Sequence, residues 1–159
     1  MSIDKNLNRI PVISYIAYVL HDSIDQINIY NNDRFTKRII LKTNKAPDEI
    51  YFTPGSAVFE EKDKQDDAGM LYEQSLKFFF PGEDTDNAAL LDAIRNRPLI
   101  IVFYYTDGTM KFFGCIENGA RFSKSSKIEA KNSGSEFSFS CTSQEPAWGL
   151  QYIGEAQPS

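Results

Sequence analysis

The segment Leu99–Phe122, LIIVFYYTDGTMKFFGCIENGARF, carries the strongest structural signal in the chain. Leu99 to Tyr105 is apolar or aromatic throughout, which is typical of a strand that is buried on both faces. Asp107-Gly108 is a strong signal for a two-residue hairpin turn, after which Met110 to Ile116 predicts a returning strand. Asn118-Gly119 is a second such signal. The segment therefore predicts a β-meander of antiparallel strands.

The sequence on both sides of this segment also favours strands. Val12 to Leu20 is rich in β-branched and aromatic residues, Phe35 to Thr43 is the next predicted strand, and Met70 to Phe80 predicts another from the alternation in its first half. Pro54-Gly55 predicts a turn between two shorter strands. These patterns bring the expected number of short strands to nine or ten.

Glu136 to Thr142 shows the clearest alternation of apolar and polar residues. Such alternation predicts an antiparallel strand that is buried on one face and exposed on the other. The residues expected on the buried face are Phe137, Phe139 and Cys141, and those on the polar face are Ser138, Ser140 and Thr142.

One segment departs from the strand pattern. Thr85 or Asp86 suits a helix N-cap, and Leu90, Leu91 and Ile94 follow at helical spacing before Pro98. This pattern predicts one short amphipathic helix, over about residues 85–96, that covers an open side of a sheet. The fold class expected is mainly β, an antiparallel β-sandwich or partly closed β-barrel with this one helix.

The chain has 159 residues, which is the size of a single domain. We expect one domain over residues 1–159, with residues 1–8 and 155–159 flexible or ordered only on assembly. No stretch approaches the ~20 apolar residues of a membrane span, and the polar N-terminus lacks the apolar run of a secretion signal. These features predict a soluble protein, made in a cytoplasm, in which Cys115 and Cys141 are reduced thiols.

The charged residues, 17 Lys and Arg against 22 Asp and Glu, give a net charge of −5. This balance argues against a nucleic-acid binder that relies on a basic surface, because affinity for phosphate comes largely from Lys and Arg. With one His and two Cys, the chain cannot form a zinc site of four His and Cys ligands.

No residue pattern indicates an enzyme. His21, Asp22 and Ser23 resemble a catalytic triad in composition only, because triad members converge from separate segments. A polar turn after a strand is the better interpretation. The carboxylates from Glu60 to Asp67 lack the glycine and the spacing of a calcium loop and are interrupted by lysines, which favours a solvated hairpin tip. We therefore expect no catalytic residue, no metal and no cofactor.

Two aromatic runs, Phe78–Phe80 and Phe112-Phe113, have two interpretations. Aromatic side chains can act as stacking platforms for single-stranded nucleic acid. Few basic residues accompany them, however, and adjacent residues on a strand do not share a face. The core or a subunit interface is therefore the expected place for these rings. Cys115 and Cys141 are interpreted as small buried thiols, and whether they lie close together is left open.

The acidic insert flanked by strands is expected to project from the domain as a loop over residues 60–67. Projecting hairpins and exposed sheet edges commonly join β subunits into rings. The aromatic content also exceeds what one small core requires. The candidate interface residues are Glu60, Glu61, Lys62, Asp63, Lys64, Asp66, Asp67 and Trp148.

The segment from Leu90 to Ala147 resembles small structural proteins of tailed-phage virions. The resemblance rests on a helix followed by a buried strand, the DG and NG turns, and an alternating strand that ends in Glu145-Pro146-Ala147. Tail-tube subunits in particular combine a β-sandwich or barrel, one flanking helix and a long projecting loop.

The resemblance implies a non-enzymatic virion protein, assembled in the host cytoplasm, that forms stacked rings, commonly hexameric, around a DNA channel. Its partners would be other copies of itself, other virion proteins, and DNA only as it passes through the lumen. An electronegative lumen lets DNA pass without binding, and the net charge is compatible with that role. A head–tail connector, a tail terminator and a capsid decoration protein are alternatives. An alternative of another class is a monomeric β-barrel that binds a small ligand.

Overall fold

The computed structural model describes residues 11–30, 33–67, 69–81, 89, 97–114, 121–129 and 132–155. The helix predicted over residues 85–96 lies outside this range except for Ala89, which is helical and exposed. Cys115 and residues 1–8 and 156–159 also lie outside it. Glu155 was expected in the flexible tail. It ends the last strand instead, and its Oε1 accepts a hydrogen bond from the backbone N–H of Asn44 at 2.9 Å.

The described residues form eleven strands and one turn of 3-10 helix at His21–Ser23. The strands are β1 (Ile13–Leu20), β2 (Ile24–Tyr30), β3 (Asp33–Leu41), β4 (Asp48–Glu49), β5 (Val58–Asp66), β6 (Gly69–Pro81), β7 (Leu99–Tyr105), β8 (Met110–Phe113), β9 (Arg121–Glu129), β10 (Asn132–Ser143) and β11 (Trp148–Glu155).

The strands form two sheets. One sheet has seven strands in the order β2-β3-β11-β8-β7-β1-β4, and the other has four in the order β5-β6-β10-β9. All described strand pairs are antiparallel except β3 with β11. The mainly β fold predicted from the sequence is confirmed, as a sandwich and not as a closed barrel.

Strand β7 lies at the centre of the packing. Leu99, Ile101 and Phe103 belong to an apolar cluster that also contains side chains from β6 and β10, so it fills the space between the two sheets. Ile100 and Val102 point to the opposite face, into a second cluster built from the large sheet alone. The prediction that this strand is buried on both faces is confirmed, since β7 belongs to two cores at once.

The short connection between β1 and β2 shows that the large sheet is curled. Residues 21–23 alone join β1 to β2, although these strands are sixth and first in the sheet. Five strand spacings in a flat sheet would measure about 24 Å, whereas the four residue steps from Leu20 to Ile24 reach about 14 Å at most. Backbone hydrogen bonds also connect this turn to the residue before β7 and to the residue after β3. His21 N–H donates to Pro98 O, and Lys42 N–H donates to Ser23 O. The sheet therefore wraps around its own apolar face.

The predicted meander is wrong in one respect. After β8 the chain leaves the large sheet, β9 and β10 pair within the small sheet, and β11 returns to the large one. A turn signal determines only the local direction of the chain. Which sheet the next strand joins depends on distant partners, here β6 for β10.

The hairpin between β7 and β8 is confirmed, but its loop has three residues. Tyr105 N–H donates to Thr109 O at 2.8 Å, and Gly108 N–H donates to Tyr105 O at 3.0 Å. Gly108 has a φ of +92°, as expected for the left-handed residue that closes a three-residue hairpin loop. The Pro54-Gly55 turn is also confirmed, since Ser56 N–H donates to Thr53 O and Gly55 has a φ of +82°.

The buried Tyr18 of β1 gives the fold a pH dependence. Burial, with a smaller contribution from the negative charge of Asp48, raises the pKa of Tyr18 to about 12 from its ordinary value of 10.0. The unfolded chain therefore loses this proton at lower pH than the folded chain. We expect the free energy of unfolding to fall as pH rises from 10.0 to about 12. Denaturant unfolding at a series of pH values measures this, and Tyr18→Phe should make the fall smaller. An identical fall in both proteins would contradict the assignment.

Candidate functional site

The acidic residues predicted as an interface lie in a β-hairpin made of β5 and β6. The two strands pair continuously from Val58↔Lys77 to Asp66↔Gly69. The prediction of a loop over residues 60–67 is therefore wrong for residues 60–66, which belong to a strand. The run was interpreted as a loop because it has no apolar residue, but an edge strand that faces solvent on one side needs few.

The alternation of β5 divides the candidate residues between two faces. Phe59 packs against the core between the sheets, so Glu61 and Asp63, which follow at intervals of two, lie on the inner face. Glu60, Lys62 and Lys64 lie on the outer face, and the residues from Glu60 to Gln65 are exposed, as is Asp67. The side chain of Asp66 lies outside the described part of the structure. The hairpin thus presents charges of both signs to solvent.

Glu61 fastens this hairpin to the rest of the molecule. Its Oε2 accepts a hydrogen bond from the backbone N–H of Ala147 at 2.7 Å and a second from Gln74 Nε2 at 2.9 Å. Ala147 lies in the connection between β10 and β11, where the chain crosses from the small sheet to the large one. One carboxylate oxygen therefore links the edge hairpin to this crossing.

Gln74 is the buried partner in this arrangement, with an exposed fraction of 2%. Its Nε2 donates to Glu61 Oε2 and also, at 3.2 Å, to the backbone oxygen of Glu145. Among the described residues its Oε1 has no hydrogen-bond partner. The Nε2 group therefore connects the hairpin to the segment between β10 and β11 through two hydrogen bonds, and Oε1 takes no part in this connection.

Trp148 is buried within the chain, with an exposed fraction of 8%, although the sequence analysis proposed it as an interface residue. Its ring packs on Phe112 with centroids 5.1 Å apart, and its Nε1 donates to Glu145 Oε2 at 2.7 Å. Lys37 Nζ lies 4.7 Å from the centre of the Trp148 ring and 3.9 Å from Glu145 Oε2. The indole thus joins the crossing to β3 and β8 within one subunit.

We call the set Lys37, Glu61, Gln74, Glu145, Ala147 and Trp148 the crossing clasp. It brings together two of the predicted candidates, Glu61 and Trp148, through residues that the sequence analysis missed. Gln74 had a detectable signal, because it occupies the same strand face as Leu76, Phe78 and Phe80, where a polar residue needs a partner. Lys37 and Glu145 had none, since their partners are distant in sequence.

The other chemical candidates lie in structural positions. His21, Asp22 and Ser23 form the turn between β1 and β2, which confirms the interpretation as a polar turn. Phe78, Phe80, Phe112 and Phe113 are buried in the two cores, while Phe79 is half-buried. Cys141 is buried beside Phe137 and Phe139, on the face predicted for it.

The described residues contain no group of three or more His, Cys, Asp or Glu side chains placed to hold a metal ion. In the same part of the chain, no helix is both long and apolar enough to cross a membrane. Comparisons of this chain with protein-family models, with curated proteins and with solved structures returned no match.

Removing the Glu61 carboxylate is expected to destabilise the fold. In Glu61→Ala the backbone N–H of Ala147 and the buried amide of Gln74 both lose an acceptor, which should cost about 2–3 kcal/mol of unfolding free energy. Glu60→Ala is the matched control, because Glu60 is exposed on the opposite face of the same strand. That control should stay within about 0.5 kcal/mol of the original protein in denaturant unfolding. Equal losses in both variants would show that Glu61 is an ordinary surface charge.

Proposed function

We propose that this protein is a non-enzymatic structural subunit of a phage virion, most concretely a tail-tube protein that assembles into stacked rings around a DNA channel. In this proposal the hairpin of β5 and β6 contacts a neighbouring subunit. The protein is made in the host cytoplasm and ends in the virion. Its partners are copies of itself and other virion proteins, with DNA passing through the lumen.

The attachment of the hairpin is the observation that carries the proposal. An edge strand such as β5, which has no partner on its outer side among the described residues, is prone to fray. Glu61 instead holds it to the crossing by hydrogen bonds at 2.7 and 2.9 Å. The outward side chains of Glu60, Lys62 and Lys64 are thereby held at a defined position, as a specific contact requires.

The architecture is compatible with this role. The described strands form a two-layer sandwich, and the segment that resembles virion proteins contributes strands to both layers. The net charge of −5 is compatible with a lumen that repels phosphate. A head–tail connector, a tail terminator or a capsid decoration protein would use the same features, and these remain alternatives within the same class.

The packing between the sheets favours a structural role over a small-ligand barrel. Phe78, Phe103, Phe113, Phe137 and Phe139 fill that space and are essentially inaccessible to solvent. A ligand-binding barrel needs an interior lined by such rings and left open to the ligand. Here the rings contact one another, as in the edge-to-face pair of Phe78 and Phe137 with centroids 5.6 Å apart.

Electron microscopy of the concentrated protein, with one redesigned variant, tests the proposal. In that variant Asn-Gly replaces Lys64–Leu71, so that the pair Asp63↔Tyr72 closes a two-residue hairpin and the clasp residues remain. We expect rings or tubes with a central hole from the original protein and folded, unassembled subunits from the variant. Asp22→Asn, at an exposed position in the turn between β1 and β2, is the control for the loss of one negative charge and should assemble as the original protein does.

Each other outcome has a distinct meaning. Rings from both proteins would keep the assembly role and remove the hairpin as its contact. Single particles of 18.1 kDa from the original protein, with and without added virion components, would contradict the assembly role.

A further inference from the structure

The exposed sheet edges differ in how well they are protected from pairing. Among the described residues, β2 and β4 end the large sheet and β5 and β9 end the small one. Natural proteins block such edges with charges, with lysine in particular, or by making the edge strand short. β4 has only two residues, β5 contains two lysines and four acids, and β9 contains Lys124, Lys127 and Glu129.

β2 is the least protected of the four edge strands, because it is seven residues long, carries one charge and departs from regular pairing with β3 only between Ile24 and Gln26 and between Ile29 and Tyr30. Its sequence, IDQINIY, contains no lysine and no proline, and Asp25 is its only charged residue. Among the described residues it pairs with β3 alone, through Ile24↔Leu41 to Tyr30↔Asp33. Ile29 is 57% exposed, the largest value among the exposed apolar side chains of the described residues. A strand with this composition is expected to pair with another strand rather than to remain at a free edge.

We propose that β2 pairs with β2 of a second copy of this chain, antiparallel and about a two-fold axis at Ile27. In this register Ile27 lies opposite Ile27 and Gln26 lies opposite Asn28, within the stretch of β2 that pairs with β3 without a register shift. The two large sheets then form one continuous sheet. No position of the pair brings like charges together.

The amide side chains of Gln26 and Asn28 favour a second copy of β2 over an unrelated strand as the pairing partner. Asn28 Nδ2 donates to Gln26 Oε1 at 3.0 Å on one face of β2. That bond leaves Gln26 Nε2 as a donor and Asn28 Oδ1 as an acceptor. The two-fold pairing brings each donor opposite the acceptor of the other copy, at the separation of directly opposed side chains.

The same register on β5 would be unfavourable. An antiparallel pair of β5 strands centred on Lys62 places Lys62 opposite Lys62 and Glu61 opposite Asp63, and only Glu60 with Lys64 is complementary. Like charges directly opposite each other destabilise a sheet. The contrast selects β2 as the edge at which two copies meet.

The inference goes beyond the proposed function and does not depend on it. A two-fold contact closes at a dimer, so rings would need a second contact between dimers. The hairpin of β5 and β6, in the other sheet, is then available for that second contact.

Two charge-substituted variants test the pairing. Q26K/N28K and Q26E/N28E change only exposed side chains, so the fold should be preserved, which circular dichroism and thermal unfolding check. The matched control, S140K/T142K, adds the same charge at exposed positions of β10, a strand paired on both sides. Sedimentation velocity measures the mass of each protein alone and of an equimolar mixture of the two charge variants.

In dilute solution, below the concentration used for electron microscopy, we expect the original protein and the β10 control to have twice the 18.1 kDa mass of one chain. Each charge variant alone should show a twofold lower mass, because like charges then oppose each other across the axis. The mixture should regain the dimer as a hetero-pair, since each Lys meets a Glu. A monomeric original protein, or charge variants that associate as the original does, would overturn the proposal. If the original protein forms rings that both charge variants also form, the β2 contact fails while the proposed function stands.

Discussion

Replacing Phe103 with alanine is expected to lower the free energy of unfolding by about 3–5 kcal/mol. Phe103 is fully buried in β7, between the two sheets. Its ring lies 4.7 Å from that of Phe59, 5.7 Å from that of Tyr105 and 6.1 Å from that of Phe113, centroid to centroid. Alanine would leave a cavity among these rings, which belong to strands of both sheets and cannot collapse together.

Two further substitutions make the measurement specific. Phe103→Leu retains most of the volume and should cost less than half as much in the same denaturant unfolding experiment. Met70→Ala removes an exposed side chain at the end of the hairpin and should change the free energy by about 0.5 kcal/mol or less. A loss below about 1 kcal/mol in Phe103→Ala would mean that the space between the sheets is not closely packed.

Alanine at Gly114 is expected to cost about 3 kcal/mol, because the backbone there is both strained for other residues and crowded. Gly114 follows β8 with a φ of +122°, a region that residues with a side chain rarely adopt. A Cβ atom at this position would lie 2.5 Å from Leu99 O and 3.2 Å from Ile100 Cα. Both atoms belong to the backbone of the central strand β7, so neither can move without disturbing the core.

Gly108 provides the control that separates strain from crowding. It also has a positive φ, +92°, but a Cβ atom there would have no neighbour within 4 Å. Gly108→Ala should therefore cost only about 1–2 kcal/mol, the penalty of the left-handed conformation alone. Equal losses at the two positions in thermal unfolding would mean that the contact with β7 contributes nothing.

The parts of the fold that could be predicted from the sequence are those with a local cause. The unbroken apolar run of β7 and the alternation of Phe137 and Phe139 in β10 each determine which faces of a strand are buried. The Pro54-Gly55 and Asp107-Gly108 turns are likewise determined by the few residues that form them. In each case the physical preference acts over fewer than about ten residues.

The pairing of distant strands could not be predicted in this way. The parallel alignment of β3 with β11 joins Ile39 to Ile153, and no property of either segment specifies the other. For the same reason the departure of the chain from the large sheet after β8 was missed. Pairing depends on how the whole apolar surface is buried, which a single sequence does not express locally.

The candidate site shows the same division. The charge of the hairpin and its exposure to solvent could be predicted from the run Glu60 to Asp67, but the role of Glu61 could not. Glu60 and Glu61 are identical in type, adjacent in sequence and both exposed, and only the alternation of β5 against β6 places Glu61 on the face where it accepts the hydrogen bond from Ala147. The register of the hairpin was needed to distinguish them.

The position of β11 has a consequence for the order in which the protein becomes stable during synthesis. This strand, the last of those described, lies between β3 and β8, so both of these expose an unpaired side until residues 148–155 have been made. Until then the nascent chain has two unpaired strand edges, one on β3 and one on β8. Pairing that forms late between segments distant in sequence makes folding slow, and exposed strand edges favour transient association. Stable folding should consequently follow release of β11 from the ribosome rather than proceed strand by strand.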